Sequence, residues 1–164
     1  MPFPIHIYLH FLIAVLLGYG TGRYFKQPWL CLIVALLGGF LIDLDHVLEY
    51  FLIFGPHFNF HYFIQGREFL VSGKIYLLLH AWEWVLLLGV LAWLLRRQKK
   101  AAAIIITLAL AMGIHLVSDC LINQYPPQFY SLIYRASQNF SAEKLLSPEQ
   151  YEKNLKLKND LGLS

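Results

Sequence analysis

The chain has 164 residues, of which 58% are hydrophobic and 14% are charged, and its net charge is +3. Soluble globular proteins contain about 45–50% apolar residues, so this composition excludes an ordinary soluble domain and indicates a membrane protein. The positive charge is small and scattered along the chain, and it therefore gives no reason to expect nucleic acid as a partner.

Four apolar stretches follow one another along the chain: residues 3–22, 29–54, 75–95 and 101–123. A helix of about 20 apolar residues crosses a hydrocarbon core of about 30 Å, and each stretch is long enough to do so. The first stretch lacks a basic leader and a cleavage site, so we expect a spanning helix rather than a signal peptide. We predict an all-α polytopic membrane bundle of about four transmembrane helices, formed by residues 1–127.

Residues 128–164 form a second unit, because Pro126 and Pro127 end the fourth helix. Residues 129–140 are amphipathic and are expected to lie on the membrane as an interfacial segment. Ser147 is a typical N-cap, followed by Pro148 at the first helical position and Gln150 at the capping-box position. These signals predict a short polar C-terminal helix in water over residues 147–159.

The loops between the apolar stretches differ in positive charge. The first and third loops carry Arg23, Lys26, Arg96, Arg97, Lys99 and Lys100, and the opposite side carries Arg67, Lys74 and Arg135. Because basic residues accumulate in cytoplasmic loops, we expect the first and third loops to face the cytoplasm.

Ten ionisable residues interrupt the apolar stretches, and each costs about 2.5–3.5 kcal/mol at the centre of a membrane helix. They are His6, His10, Asp43, Asp45, His46, Glu49, His80, Glu83, His115 and Asp119. They lie early in the first and third stretches and late in the second and fourth. Because consecutive helices run in opposite directions, this pattern predicts that all ten share one depth in one half of the bilayer.

Each stretch offers one pair spaced three or four residues apart, which places the pair on one helix face: His6 with His10, Asp43 with His46, His80 with Glu83, and His115 with Asp119. A second pair, Asp45 with Glu49, lies on a different face of the second helix. Imidazoles and carboxylates that point from four helices into a common interior are typical of metal centres in helical bundles. The predicted metal ligands are His10, Asp43, His46, His80, His115 and Asp119. Nitrogen and oxygen donors without thiolate favour zinc, manganese or iron over magnesium, and zinc is the first choice.

The remaining polar residues have other expected roles. Asp45 and Glu83 are the predicted catalytic residues, and whichever is not a ligand serves as general base or orients a ligating imidazole. The residues expected to be solvated or structural are His6, Glu49, His57 and His61.

Residues 42–46 read Ile-Asp-Leu-Asp-His, and residues 115–119 contain a His-x-x-x-Asp element. Together with His10 and His80, these motifs resemble the membrane-bound metal-dependent hydrolase-like proteins of bacteria, over about residues 6–123. The resemblance implies a bacterial inner-membrane location. It also implies that the metal and catalytic residues are His10, Asp43, Asp45, His46, His80, His115 and Asp119.

The leading hypothesis is a metal-dependent hydrolase that uses an activated water on a lipid-like phosphoester or ester, with membrane lipid as its surroundings. Three basic residues are expected on the same side of the membrane as the site: Arg67, Lys74 and Arg135. We expect them to be solvated interfacial cations or to contact an anionic headgroup. A metal-ion or proton carrier with the same ligands is the alternative. A bis-histidine haem protein is less consistent with several carboxylates, and a pure scaffold does not explain the shared depth. The oligomeric state stays open.

Overall fold

In a computed structural model that describes residues 3–163, the chain is all-α, as predicted. The described part contains no strand, and one isolated bridge joins Lys74 to Ser141. The helices are α1 (Phe3–Phe25), α2 (Pro28–Gly39), α3 (Leu44–Phe54), α4 (Phe60–Ile64), α5 (Arg67–Ser72), α6 (Trp82–Leu94), α7 (Lys99–Asn123), α8 (Leu132–Ser137), α9 (Ala142–Leu145) and α10 (Pro148–Asp160). Two 3-10 turns are formed by Leu41–Asp43 and Pro127–Tyr130.

Within residues 3–163, three helical segments are long and apolar enough to cross a membrane: Ile5–Phe25, Pro28–Phe54 and Lys99–Asn123. The fourth apolar helix, α6, has 13 residues. At 1.5 Å per residue it spans about 20 Å, which is less than a hydrocarbon core of about 30 Å. The helices therefore fit a membrane protein, and the number of passes stays a prediction.

The bundle is built by α1, α2 and α7, which pack against one another, and by α6, which packs against α7. Glycines permit close approach at two of these contacts. A Cβ atom on Gly18 would lie 2.7 Å from the Cα of Leu32, and one on Gly38 would lie 2.6 Å from the Cδ1 of Leu108. Small residues of this kind let membrane helices approach with their backbones almost in contact.

The second spanning segment is not one continuous helix. It leaves α-helical geometry at Phe40, whose φ and ψ are −127° and −49°, and passes through the turn Leu41–Asp43 before α3 begins. The break places Asp43 at the end of the turn and Asp45 and His46 in the first turn of α3, and the carbonyl of Gly39 lies within hydrogen-bond distance of the His115 side chain.

We predicted the third helix over residues 75–95. The prediction is wrong for residues 75–81, because α6 begins only at Trp82. Residues 75–81 are irregular, and Leu77 has a positive φ of 38°. Non-helical backbone at membrane depth is tolerated only where protein groups satisfy its hydrogen bonds. We call residues 75–81 the His80 loop.

Glu49 accepts hydrogen bonds from backbone N–H groups at the beginning of the His80 loop. Its carboxylate accepts hydrogen bonds from the backbone N–H groups of Tyr76 at 2.8 Å and Leu77 at 3.0 Å. Glu49 is 2% exposed. Of the two expected roles, solvated or structural, the structure selects the structural one.

Arg135 satisfies carbonyl groups of the same loop. It is fully buried and donates to the carbonyls of Leu77 at 2.8 Å, His80 at 2.9 Å and Phe129 at 2.8 Å. Burial lowers the pKa of Arg135, and nearby carboxylates, Asp45 first among them, oppose that shift. The expectation of a solvated or headgroup-binding cation is therefore wrong for this residue, because its guanidinium fastens α8 to the His80 loop.

Residues 129–140 differ in detail from a single segment lying on the membrane. They form the end of a 3-10 turn and α8, and Phe129 and Tyr130 are buried in a core that includes Leu116. The predicted start of the C-terminal helix is confirmed, because Ser147 and Gln150 form both hydrogen bonds of the capping box.

Candidate metal centre

The six predicted ligands converge in the structure. α1 contributes His10, the 3-10 turn before α3 contributes Asp43, the first turn of α3 contributes His46, the His80 loop contributes His80, and α7 contributes His115 and Asp119. With His6 they form four overlapping groups that could hold a metal ion. The imidazoles of His10, His80 and His115 are almost fully buried. The convergence matches the shared depth expected from the sequence, and the roles of the individual ligands stay predictions.

Four donor atoms form the centre of this cluster. The Nε2 atoms of His80 and His115 lie 3.2 Å apart. Asp43 Oδ1 lies 3.4 Å from each of these nitrogens. Asp119 Oδ2 lies 3.3 Å from His115 Nε2 and 3.8 Å from His80 Nε2.

These distances fit a metal ion. Ligands at the corners of a tetrahedron around zinc, with bonds of about 2.0–2.1 Å, lie about 3.3 Å from one another. Five donor-to-donor distances in the cluster fall between 3.2 and 3.8 Å. Asp43 Oδ2 and Asp119 Oδ1 are also buried without a hydrogen bond from any described residue, so both carboxylates keep capacity for a further cation or proton.

The orientation of both central imidazoles is fixed from outside the cluster. His115 Nδ1 lies 3.0 Å from the carbonyl of Gly39, and because a carbonyl only accepts, this nitrogen carries a proton. His80 Nδ1 lies 3.2 Å from Asp45 Oδ2, which as an ionised carboxylate also only accepts. The neutral rings therefore turn two Nε2 lone pairs toward each other. These repel unless a cation or added protons lie between them.

The two predicted catalytic residues lie in different places. Asp45 is 3% exposed and accepts from the backbone N–H of Leu79 at 2.8 Å as well as from His80, so it lies behind the imidazole. Glu83 accepts from Ser131 Oγ and from the backbone N–H of Leu132 at 3.0 Å. Glu83 thus binds the first turn of α8 and is in none of the four groups. The geometry gives Asp45 an orienting position, and neither catalytic role is tested by it.

His6 is a residue that the sequence reasoning left out of the ligand set. Its Nε2 lies 3.0 Å from His10 Nε2 and 3.5 Å from Asp119 Oδ1. The signal was the four-residue spacing of the two histidines on α1. His57 and His61 are exposed and belong to none of the groups.

A cavity of about 590 Å³ adjoins the cluster, and His6, Asp43 and His80 form part of its wall. Its described lining contains no lysine or arginine. Arg67 instead stacks on Tyr62, with its guanidinium carbon 3.9 Å from the ring centroid.

Glu68, on α5, is a buried carboxyl group in the cavity wall. It is 1% exposed, and its Oε2 receives no hydrogen bond from the described residues. Burial, with a smaller contribution from Glu49, raises the pKa of Glu68 to about 7 from its ordinary value of 4.5. The folded protein therefore holds this proton more tightly than the unfolded chain does.

This shift predicts a pH-dependent stability. The contribution of Glu68 is fully present below its ordinary pKa and is lost as the pH rises through about 7. Glu68→Gln should remove that loss. The melting temperature of the variant minus that of the unsubstituted protein should therefore be higher at about pH 8 than at about pH 5. The corresponding free-energy change is up to about 3 kcal/mol. Thermal unfolding in detergent measures it, with the exposed Glu143→Gln as control. A relative melting temperature that is the same at both pH values would contradict the prediction.

Fold and cluster together define the class: an all-α protein with helices long and apolar enough to cross a membrane and with a buried His/Asp group that could hold a metal ion. No protein-family model matches the chain, and neither the curated proteins nor the solved structures give a match. The resemblance to membrane-bound metal-dependent hydrolases therefore stays a prediction.

Proposed function

We propose that the chain is a metal-dependent hydrolase of the bacterial inner membrane that acts on a lipid-like phosphoester or ester. One observation carries the proposal. The Nε2 atoms of His80 and His115 are held 3.2 Å apart beside the carboxylates of Asp43 and Asp119. This arrangement is costly unless a cation or added protons lie between the two nitrogens, and two imidazoles with two carboxylates are a donor set typical of a metal ion. Zinc is our first choice, followed by manganese or iron.

The residues would divide the chemistry among them. His80 and His115 would hold the ion through Nε2, together with one oxygen each of Asp43 and Asp119. Such an ion would have to accept a water as a further ligand beside these four groups, and it would then supply a lowered pKa for that water and polarisation of the scissile group. Asp43 Oδ2, which has no hydrogen-bond donor among the described residues, is available to take a proton from the attacking water. Asp45 keeps the proton of His80 on Nδ1.

The cavity supports a substrate that carries an acyl chain. Its volume of about 590 Å³ lies within the range of about 300–1,000 Å³ found for ligand pockets. Exposed apolar side chains of the second spanning segment, Leu41 and Leu44, belong to its wall, and so do the polar groups Asn123 and Tyr130. With the ester group of the substrate at the cluster, its acyl chain would lie along the apolar wall of the cavity and extend toward the lipid.

Elemental analysis of detergent-purified protein tests the proposal. We expect about one or more zinc, manganese or iron ions per chain, and near-complete loss in an Asp43→Ala/His115→Ala double variant. The matched control is His57→Ala/Asp160→Ala, which changes the same residue types at exposed positions. The same samples are then assayed with nitrophenyl phosphate, nitrophenyl acyl esters and a phospholipid.

The possible outcomes separate the candidate functions. Metal that is lost with the double variant, together with hydrolysis that follows the metal content, would support the hydrolase. Metal without hydrolysis, but with cation flux into proteoliposomes, would indicate the carrier instead. Absence of metal after dialysis against zinc, manganese and ferrous ions would refute the metallohydrolase.

A further inference from the structure

We infer that the centre holds two divalent ions, bridged by Asp119, and that His6 is a ligand of the second ion. This inference rests on the proposed metal centre, whose first ion would lie among His80, His115, Asp43 and Asp119. It adds a second binding position with donors of its own.

The second position is formed by three atoms. The Nε2 atoms of His6 and His10 lie 3.0 Å apart, and Asp119 Oδ1 lies 3.5 Å from the first and 3.1 Å from the second. These are again close to the roughly 3.3 Å that separates two ligands of a tetrahedral zinc ion. Three protein ligands leave one coordination position open, as is usual in catalytic rather than structural sites.

Asp119 connects the two positions. Its Oδ2 faces His115 and His80, and its Oδ1 faces His10 and His6. Each oxygen thus points at a different histidine pair, and Oδ1 receives no hydrogen bond from any residue that the structure describes. A carboxylate with one oxygen for each ion is a common bridge in two-metal sites, where the ions lie about 3.5–4 Å apart.

The second position is also accessible from the cavity. His6 and His10 occupy one face of α1, which packs against α7, the helix that carries Asp119. The His6 side chain is 18% exposed and lines the cavity, whereas that of His10 is fully buried. An ion held there would therefore have its open coordination position on the cavity side.

The charges then indicate a substrate class. Two divalent ions carry four positive charges, against three negative charges from Asp43, Asp119 and the adjoining Asp45. The excess of one positive charge favours an anionic ligand, and no lysine or arginine lines the described part of the cavity. Between the two ester types proposed above, the two-ion centre selects the phosphate ester.

Manganese binding and electron paramagnetic resonance test this inference. Chelator-treated full-length protein is dialysed against Mn²⁺, and bound manganese per chain is measured beside its spectrum. We expect about two ions per chain with an exchange-coupled signal, as in a two-metal site. His6→Ala should retain about one ion with the signal of isolated Mn²⁺, and His6→Gln should behave alike. The exposed His57→Ala should keep both ions and their coupling.

The outcomes distinguish this inference from the proposed function. One ion per chain that His6→Ala does not change would overturn the second site and leave a one-ion hydrolase standing. Two ions that remain coupled in His6→Ala would also overturn the role of His6. A chain that binds no manganese, zinc or iron would overturn both proposals.

Discussion

Arg135→Met should destabilise the folded protein by about 3–5 kcal/mol, because it removes the buried donor of three carbonyl groups. The substitution would leave the carbonyls of Leu77, His80 and Phe129 buried without their donors. Each such group costs about 1–3 kcal/mol. For a chain of this length the loss corresponds to a decrease in melting temperature of about 10 °C or more. Thermal unfolding in detergent, followed by tryptophan fluorescence, measures it.

Two further variants identify the cause. Arg97→Met makes the same substitution at an exposed position and should melt close to the unsubstituted protein. Arg135→Lys keeps the positive charge but loses the planar fork that reaches three carbonyls, so it should fall between the two. If Arg135→Met melted within the error of the control, the guanidinium would not be holding the His80 loop.

The membrane class and the convergence of the site could be predicted from the sequence because both depend on local rules. Apolar length sets the spanning segments. Spacings of three and four residues place pairs such as His115 and Asp119 on one face. Alternating helix direction then brings these faces to one depth. The capping box of Ser147 and Gln150 is equally local, and it is present in the structure.

The His80 loop could not be predicted in this way. Residues 75–81 are mostly apolar and contain no proline or glycine, so their local preference is compatible with a continuous helix. What overrides that preference is distant in sequence. Glu49 lies 27 positions before Tyr76 and 28 before Leu77, whose N–H groups donate to it. Arg135 lies 58 positions after Leu77, whose carbonyl it contacts. No window of neighbouring residues contains this information.

The break in the second spanning segment has a partly local signal. Gly38 and Gly39 precede it, and glycine weakens a helix. The function of the break is nevertheless visible only in three dimensions, because the freed carbonyl of Gly39 accepts from His115, which lies 76 positions away. His6 was missed for a different reason, since proximity to the chain terminus suggested solvent contact. In the folded chain it lies 3.5 Å from Asp119.

Asp119→Asn should cause the largest loss of metal and activity in the chain. The substitution keeps the shape of the side chain but removes the charge from a carboxylate that faces four imidazoles. Loss of an outer partner of a ligand typically costs 10–100-fold in metal affinity. A direct ligand should cost more, and we expect a decrease of about 10³-fold or greater in zinc affinity and in hydrolysis. Competition with a fluorescent chelator measures the affinity.

Asp45→Asn and Asp160→Asn complete a graded series. Asp45 contacts His80 Nδ1 rather than the centre of the cluster, so Asp45→Asn should lower zinc affinity by about 10–100-fold. Asp160 is exposed on α10, and its substitution should leave affinity unchanged. Saturating zinc separates two roles for Asp45. If it only orients His80, excess metal should restore most of kcat, whereas a general base would leave kcat low at every zinc concentration. A greater loss of affinity in Asp45→Asn than in Asp119→Asn would contradict the ligand assignment.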